Sequence, residues 1–108
     1  MPRLLVNLAN IRRNAKAICA LGEKHGISVA GVVKGACGAL PVAKAVLEGG
    51  CRQLASSRLS QLEAIRAEMP EVSTLLIRMP LPDDAHRVVR ACDLSLNTEE
   101  HTLRALSD

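Results

Sequence analysis

The sequence predicts an α/β fold built on a parallel sheet, and three observations carry that expectation. Short β-like apolar runs alternate with helix-like runs along all 108 residues. The alternation recurs at roughly twenty-residue intervals, the spacing of βαβ units. No linker or low-complexity stretch interrupts it, so residues 1–108 read as one domain around one core.

Residues 4–6 (Leu4, Leu5, Val6) are the first strand candidate, and Asn7 can cap the helix that follows. Leu8, Ile11, Ala15 and Ile18 recur at helical spacing, opposite Arg12, Arg13 and Lys16. Gly22 and Gly26 offer stops for that helix. Residues 27–33 read as a buried strand ending at Lys34. The turn Gly35-Ala36-Cys37-Gly38 then leads to Pro41, suited to the first turn of a helix. Val42, Ala43, Val46 and Leu47 form its apolar face, and Gly49 and Gly50 end it.

Residues 53–56 form the next strand, and Ser57 can cap a helix carrying Leu59, Leu62, Ile65 and Met69. Pro70 closes that helix. Residues 73–78, rich in Thr, Leu and Ile, are a further strand broken by Pro80 and Pro82. Residues 83–91 are helical with Val88 and Val89 inward. Residues 93–97 are the last strand, and Thr98 caps a final helix with Glu99 and Glu100 in its first turn.

Composition narrows the function classes. Hydrophobic content of 48% and charged content of 23% are those of an ordinary soluble domain. The net charge of +3 is spread among interleaved acids and bases, and the chain has no Phe, Tyr or Trp. Base stacking and aromatic cages are therefore closed to it, and nucleic acid is not an expected partner. The core must be built from Leu, Ile, Val, Ala and Met. Four cysteines without a CxxC pair argue against a structural metal and for free thiols in a reducing cytoplasm. No signal-peptide core is visible, and the longest apolar stretch, 27–33, is too short to span a membrane.

In parallel α/β folds, functional groups gather where strands end. The strand-terminal polar residues here are Lys34, then Ser56, Ser57 and Arg58, then Arg78, then Asn97. Lys34 ends an apolar run, which would set its stem in a low-dielectric wall and make its amine a nucleophile toward an aldehyde. The same residue could equally be a strand-end lysine snorkelling to water. Arg58 and Arg78 could hold a carboxylate or another anion, or stand as solvated rim charges. Asn97 suits a turn as well as a ligand contact. Cys37 reads as a small buried filler and His25, His86 and His101 as surface residues. The Gly35–Gly38 turn lacks the trailing Lys-Ser/Thr of a Walker loop.

Together these residues resemble a known family. Val32-Val33-Lys34, the small-residue turn with Cys37-Gly38, and Pro41-Val42-Ala43-Lys44 are similar to the segment that bears the pyridoxal 5′-phosphate (PLP) lysine in the alanine racemase family. Leu47 to Gly50, Ala55, Ser57-Arg58, Leu75 to Pro80 and Asp93 to Glu99 extend the likeness, which leans to the ornithine-racemase-like branch. The stretch from Leu8 to Asn14 resembles the family's opening helix.

The resemblance implies the N-terminal part of a (β/α)8 TIM barrel, an incomplete one, because such a barrel takes about 250 residues. It implies PLP as cofactor, Lys34 as the Schiff-base and catalytic lysine, and Arg78 and Asn97 as further cofactor contacts. Ser57 and Arg58 are the expected substrate contacts, and an amino acid the expected substrate. Two features depart from the family pattern. The turn after Lys34 is short and lacks a tyrosine, and Ser56 stands where that branch tends to carry an acid. The expected function is PLP-dependent amino-acid racemisation, with the chain inactive alone and prone to self-association or to joining the rest of a barrel. The alternatives are a non-catalytic PLP-binding protein of the same barrel family and a purely structural half-barrel.

Overall fold

The computed structural model describes residues 2–108, which form an α/β unit of one sheet and one layer of helices. The strands are β1 (Ala30–Val32), β2 (Gln53–Ser56), β3 (Ser73–Leu76) and β4 (Leu94–Ser95). The helices are α1 (Leu8–Lys24), α2 (Leu40–Glu48), α3 (Leu59–Glu68), α4 (Ala85–Ala91) and α5 (Glu100–Ser107). The strands lie in sequence order and every neighbouring pair is parallel, as the expected αβ alternation requires. This is the architecture of the N-terminal part of a TIM barrel.

Two faces of the sheet have different fates. The row Gly31, Leu54 and Thr74 turns toward the helices, and a Cβ on Gly31 would strike the Val46 side chain of α2 at 2.2 Å. Leu54, Val33 and Leu76 join Ala43, Leu62, Ile65, Met69 and Val88 in the core. The adjoining row Val32, Ala55, Leu75 and Leu94 faces the other way. Its outer members are open, Val32 at 53% and Leu94 at 55% exposure. The 22 Å short axis agrees, since a sheet plus one helix of about 10 Å diameter leaves no depth for a second helical layer.

The helix layer depends on close backbone approach. At Gly49 a Cβ would sit 2.5 Å from the Ala15 Cβ and 2.7 Å from the Arg12 carbonyl oxygen, so α1 can rest on the end of α2 only because that position is glycine. Arg12 adds an ion pair to Glu48 at 2.7 Å and so joins this contact, whereas the periodicity assigns it to the far face. The contact stripe of α1 is Ile11, Ala15 and Cys19, all half-buried, and Leu8 and Ile18 stand exposed.

Other expectations need correction. Residues 4–6 form no strand, and Leu4 and Leu5 are 88% and 84% exposed. Strands are stabilised by a hydrogen-bonded neighbour, and no described strand flanks them. The expected strand 27–33 shortens to Ala30–Val32 because the chain reverses first, with the Ile27 N–H returning to the Gly22 carbonyl at 2.8 Å. Strands 73–78 and 93–97 shorten to Ser73–Leu76 and Leu94–Ser95. Pro82 opens a 3-10 turn, Pro82–Asp84, ahead of α4, and Val89 is 58% exposed while Val88 is buried.

The helix caps also differ in part. Asn7 caps α1 as expected, its Oδ1 accepting from the Asn10 N–H at 3.0 Å. Ser57 and Thr98 do not cap: the residues before α3 and α5 are Arg58 and Glu99, without side-chain caps. Thr98 Oγ1 instead donates to Met79 Sδ at 2.7 Å.

Asp93, just before β4, ties the sheet's last strand to α3. Its carboxylate accepts from the Thr74 N–H at 2.9 Å and from Arg66 Nη2 at 2.7 Å. The Thr74 N–H and then the guanidinium hold its carboxyl below the ordinary carboxylate range. A carboxyl depressed on folding stabilises the fold above its unfolded pKa of about 4 and loses that contribution as pH falls through the folded value. Urea unfolding followed by far-ultraviolet circular dichroism should therefore show a shallower loss of stability on acidification for Asp93→Asn than for the parent. Identical acid profiles would remove Asp93 from this role.

Candidate functional site

The parallel register brings the carboxyl ends of all four strands to one edge. Lys34 follows β1, Ser57 and Arg58 follow β2, Arg78 lies beyond β3, and Asn97 lies beyond β4. The ladder continues past the strand ends, the Val33 N–H donating to the Ala55 carbonyl at 2.9 Å and the Ile77 N–H to Ser56 at 3.0 Å.

Lys34 opens a 3-10 turn, Lys34–Ala36, which the chain closes tightly. The Gly38 N–H donates to the Val33 carbonyl at 2.9 Å and the Cys37 N–H to the Lys34 carbonyl at 3.0 Å. Cys37 has φ 55° and Gly38 φ 67°, two successive left-handed residues. Cys37 is exposed, which corrects the buried-filler reading: its backbone role in the turn points the thiol outward. Lys34 is exposed too, because β1 borders the open sheet face and no apolar wall encloses its stem. Among the described residues its amine forms no ion pair.

A packing contact and a short hydrogen-bond chain link the first turn to the second. A Cβ at Gly38 would meet the Gln61 side chain at 2.8 Å, so Gln61 of α3 presses directly on the Lys34 turn. Gln61 Oε1 accepts from Ser56 Oγ at 2.7 Å, and Ser56 Oγ in turn accepts from the Arg58 N–H at 3.1 Å. Ser56 is fully buried and thus sets where Ser57 and Arg58 leave β2. Gln61 has no signal in the apolar periodicity, which registers only the inward face of α3.

Ser57, Arg58 and Arg78 meet in one cleft of about 470 Å³ between the start of α3 and the segment after β3, with Asp84 and Arg87 on its wall. Glu63 binds Arg87 through two contacts, at 2.6 and 3.1 Å, and the Arg87 hydrogen bond holds its carboxyl below the usual range. Asp84 adds a longer contact at 3.4 Å. Arg87 is thereby neutralised, whereas Arg58 and Arg78 have no ion-pair partner among the described residues. Two free guanidiniums beside a serine hydroxyl can hold a carboxylate or a phosphate.

Lys34 and Asn97 do not line that cleft. Asn97 is half-buried, its Nδ2 donating to the Ser95 carbonyl at 3.2 Å and to Ser95 Oγ at 2.9 Å. Among the described residues its Oδ1 is buried without a donor. His25, His86 and His101 are exposed. Among the described residues no three His, Cys, Asp or Glu side chains gather as a metal site, and no helix is long and apolar enough to cross a membrane.

The profile of the family described as "Alanine racemase, N-terminal domain" matches residues 6–108. Over 106 residues, 98% of this chain and 30% of the relative, the sequence is 30% identical to the ornithine racemase of Acetoanaerobium sticklandii. Over 92 residues, 85% of this chain and 26% of the relative, it is 28% identical to the lysine racemase of Thermotoga maritima. The chain thus spans less than a third of the length of these relatives. No solved structure matches it significantly.

Replacing Ser56 with Ala removes the donor to Gln61 and the acceptor for the Arg58 N–H in a buried setting. The expected loss is about 1–3 kcal/mol of stability in denaturant titrations, the usual penalty for orphaning buried polar groups. An unchanged midpoint would show that the Ser56–Gln61 link does not hold the two turns.

Proposed function

The chain belongs to the alanine racemase N-terminal domain family, and from that premise we propose that it carries the cofactor-binding edge of a PLP-dependent amino-acid racemase. The observation that carries the reading is the alignment, along one carboxyl edge, of an unpaired lysine, two unpaired arginines and a buried acceptor without a donor. These residues suit the cofactor's chemistry. Lys34 supplies the amine that takes an aldehyde, and Asn97 Oδ1 an acceptor for a polar hydrogen of the ring substituents. Arg78 supplies a cation for an anionic group.

When bound, PLP supplies the electron sink that makes the α-hydrogen of an amino acid acidic. Lys34 holds the cofactor and moves a proton at the substrate α-carbon on its own face, using Nζ. Ser57 and Arg58 orient the substrate carboxylate, and the Ser56–Gln61 link keeps Arg58 in place relative to Lys34. The relatives named for ornithine and lysine favour a diamino acid as substrate. Residues 1–108 act as a partial barrel domain. The open face bearing Val32 and Leu94 associates with a second copy or with polypeptide equivalent to the remaining length of those relatives.

The test is covalent trapping. Without Tyr or Trp the chain absorbs almost nothing in the near ultraviolet, so PLP bound to an amine should be readily visible. Borohydride reduction and peptide mapping should then place the pyridoxyl group on Lys34, sparing Lys24 and Lys44, with the signal lost in Lys34→Ala. Even labelling of all lysines would overturn the assignment of Lys34.

A further inference from the structure

At the amino edge of the sheet, opposite the candidate site, two thiols from distant parts of the chain meet. Cys19 Sγ of α1 lies 3.4 Å from Cys51 Sγ, which precedes β2, across a sequence separation of 32 residues. Both are free cysteines. Two glycines make the meeting possible. Gly49 admits the backbone of α1, where a Cβ would lie 2.7 Å from the Arg12 carbonyl oxygen. Gly50 has φ 118°, which places Cys51 beneath α1.

We propose that Cys19 and Cys51 form a modification site, a dithiol that a hydroperoxide converts into a disulfide fastening α1 to the start of β2. The two positions divide the work. Cys19 is half-buried and lines an open cavity of about 690 Å³ with Lys16, Gly50 and Arg52, so a small peroxide can reach it. Cys51 is buried behind it. Burial first, and then the hydrogen bond and charge of Cys19, push the Cys51 thiol up to about 11, which keeps it protonated and leaves the first attack on peroxide to Cys19.

In the first step Cys19 Sγ attacks a peroxide oxygen and the O–O bond breaks. Cys19 becomes a sulfenic acid, its thiol proton leaving with the alcohol or water formed from the other oxygen. Cys51 Sγ then attacks the Cys19 sulfur, the S–O bond breaks, and hydroxide leaves as water with the Cys51 proton. Two thiols lose two electrons in all and one hydroperoxide gains them. Reaching a disulfide length of about 2 Å needs an approach of roughly 1.4 Å, within the reach of side-chain rotation and a small shift of α1. α1 has no buried residue, so it can make that shift.

The experiment uses the full chain carrying Cys37→Ser, which removes the exposed thiol. After one equivalent of hydrogen peroxide, intact mass should fall by two hydrogens. Tryptic peptides 17–24 and 45–52, each holding one cysteine, should be joined and then released by dithiothreitol. The oxidised chain should melt higher by on the order of 10 °C, since the bridge constrains the unfolded chain. Cys19→Ser or Cys19→Ala in the same background should abolish the joined peptide. Oxygen retained on Cys19 without a link, a bridge through Cys92, or a bridge between chains would overturn the proposal. None of these readouts depends on PLP, so the outcome stands apart from the racemase reading.

Discussion

The parallel ladder from β1 to β4 is the constraint on which the other features depend. Because Ala55 pairs with Val32 and Leu75, and Leu75 with Leu94, the strands end in step. Residues that follow them therefore emerge together, although Lys34 and Asn97 are far apart in sequence. A slip of one residue in any pairing would turn Leu54 or Leu76 out of the core and scatter the edge. The inward row of Gly31 with buried Leu54 and Thr74, and the neighbouring buried Ser56–Leu76 pair, hold the register against that slip.

The helix layer fixes the ladder from one side only. Leu62 and Ile65 of α3, Met69 just after it, Ala43 of α2 and Val88 of α4 supply its buried apolar contact, and Arg66 with Asp93 closes the far end. α1 contributes no buried residue and is held by the glycine contact at Gly49 and the Arg12–Glu48 pair. Stability is thus concentrated around β2 and β3, with α1 attached at the margin. Val32 and Leu94 leave an apolar face open on the other side.

Much of this was legible in the residues. Strand Gln53–Ser56 and the buried faces of α2 and α3 follow from apolar periodicity and from Pro41 and Gly49 as punctuation. The edge residues were legible as strand ends. Less legible were features that depend on neighbours. Residues 4–6 have strand composition but no flanking strand among the described residues, and Val89 has core composition but points outward because Ala85, Val88 and Ala91 form the inward stripe of α4 and Val89 lies one step round from it. Gln61 and Glu63 shape the site through contacts across 5 and 24 residues, which no local pattern encodes, and Asp84 through a contact across three. The Cys19–Cys51 meeting, too, exists only once α1 is folded back on the sheet.

The central claim is that this ladder is formed in the chain itself and so presents the edge as a fixed array. Amide hydrogen exchange resolved along the backbone tests it most directly. Slowest exchange in β2 and β3, intermediate exchange in β1 and β4, and free exchange through residues 3–6 is the predicted pattern, since protection follows burial and hydrogen bonding. Rapid exchange throughout β2 and β3 would contradict it, because Lys34, Arg58, Arg78 and Asn97 would then share no common edge.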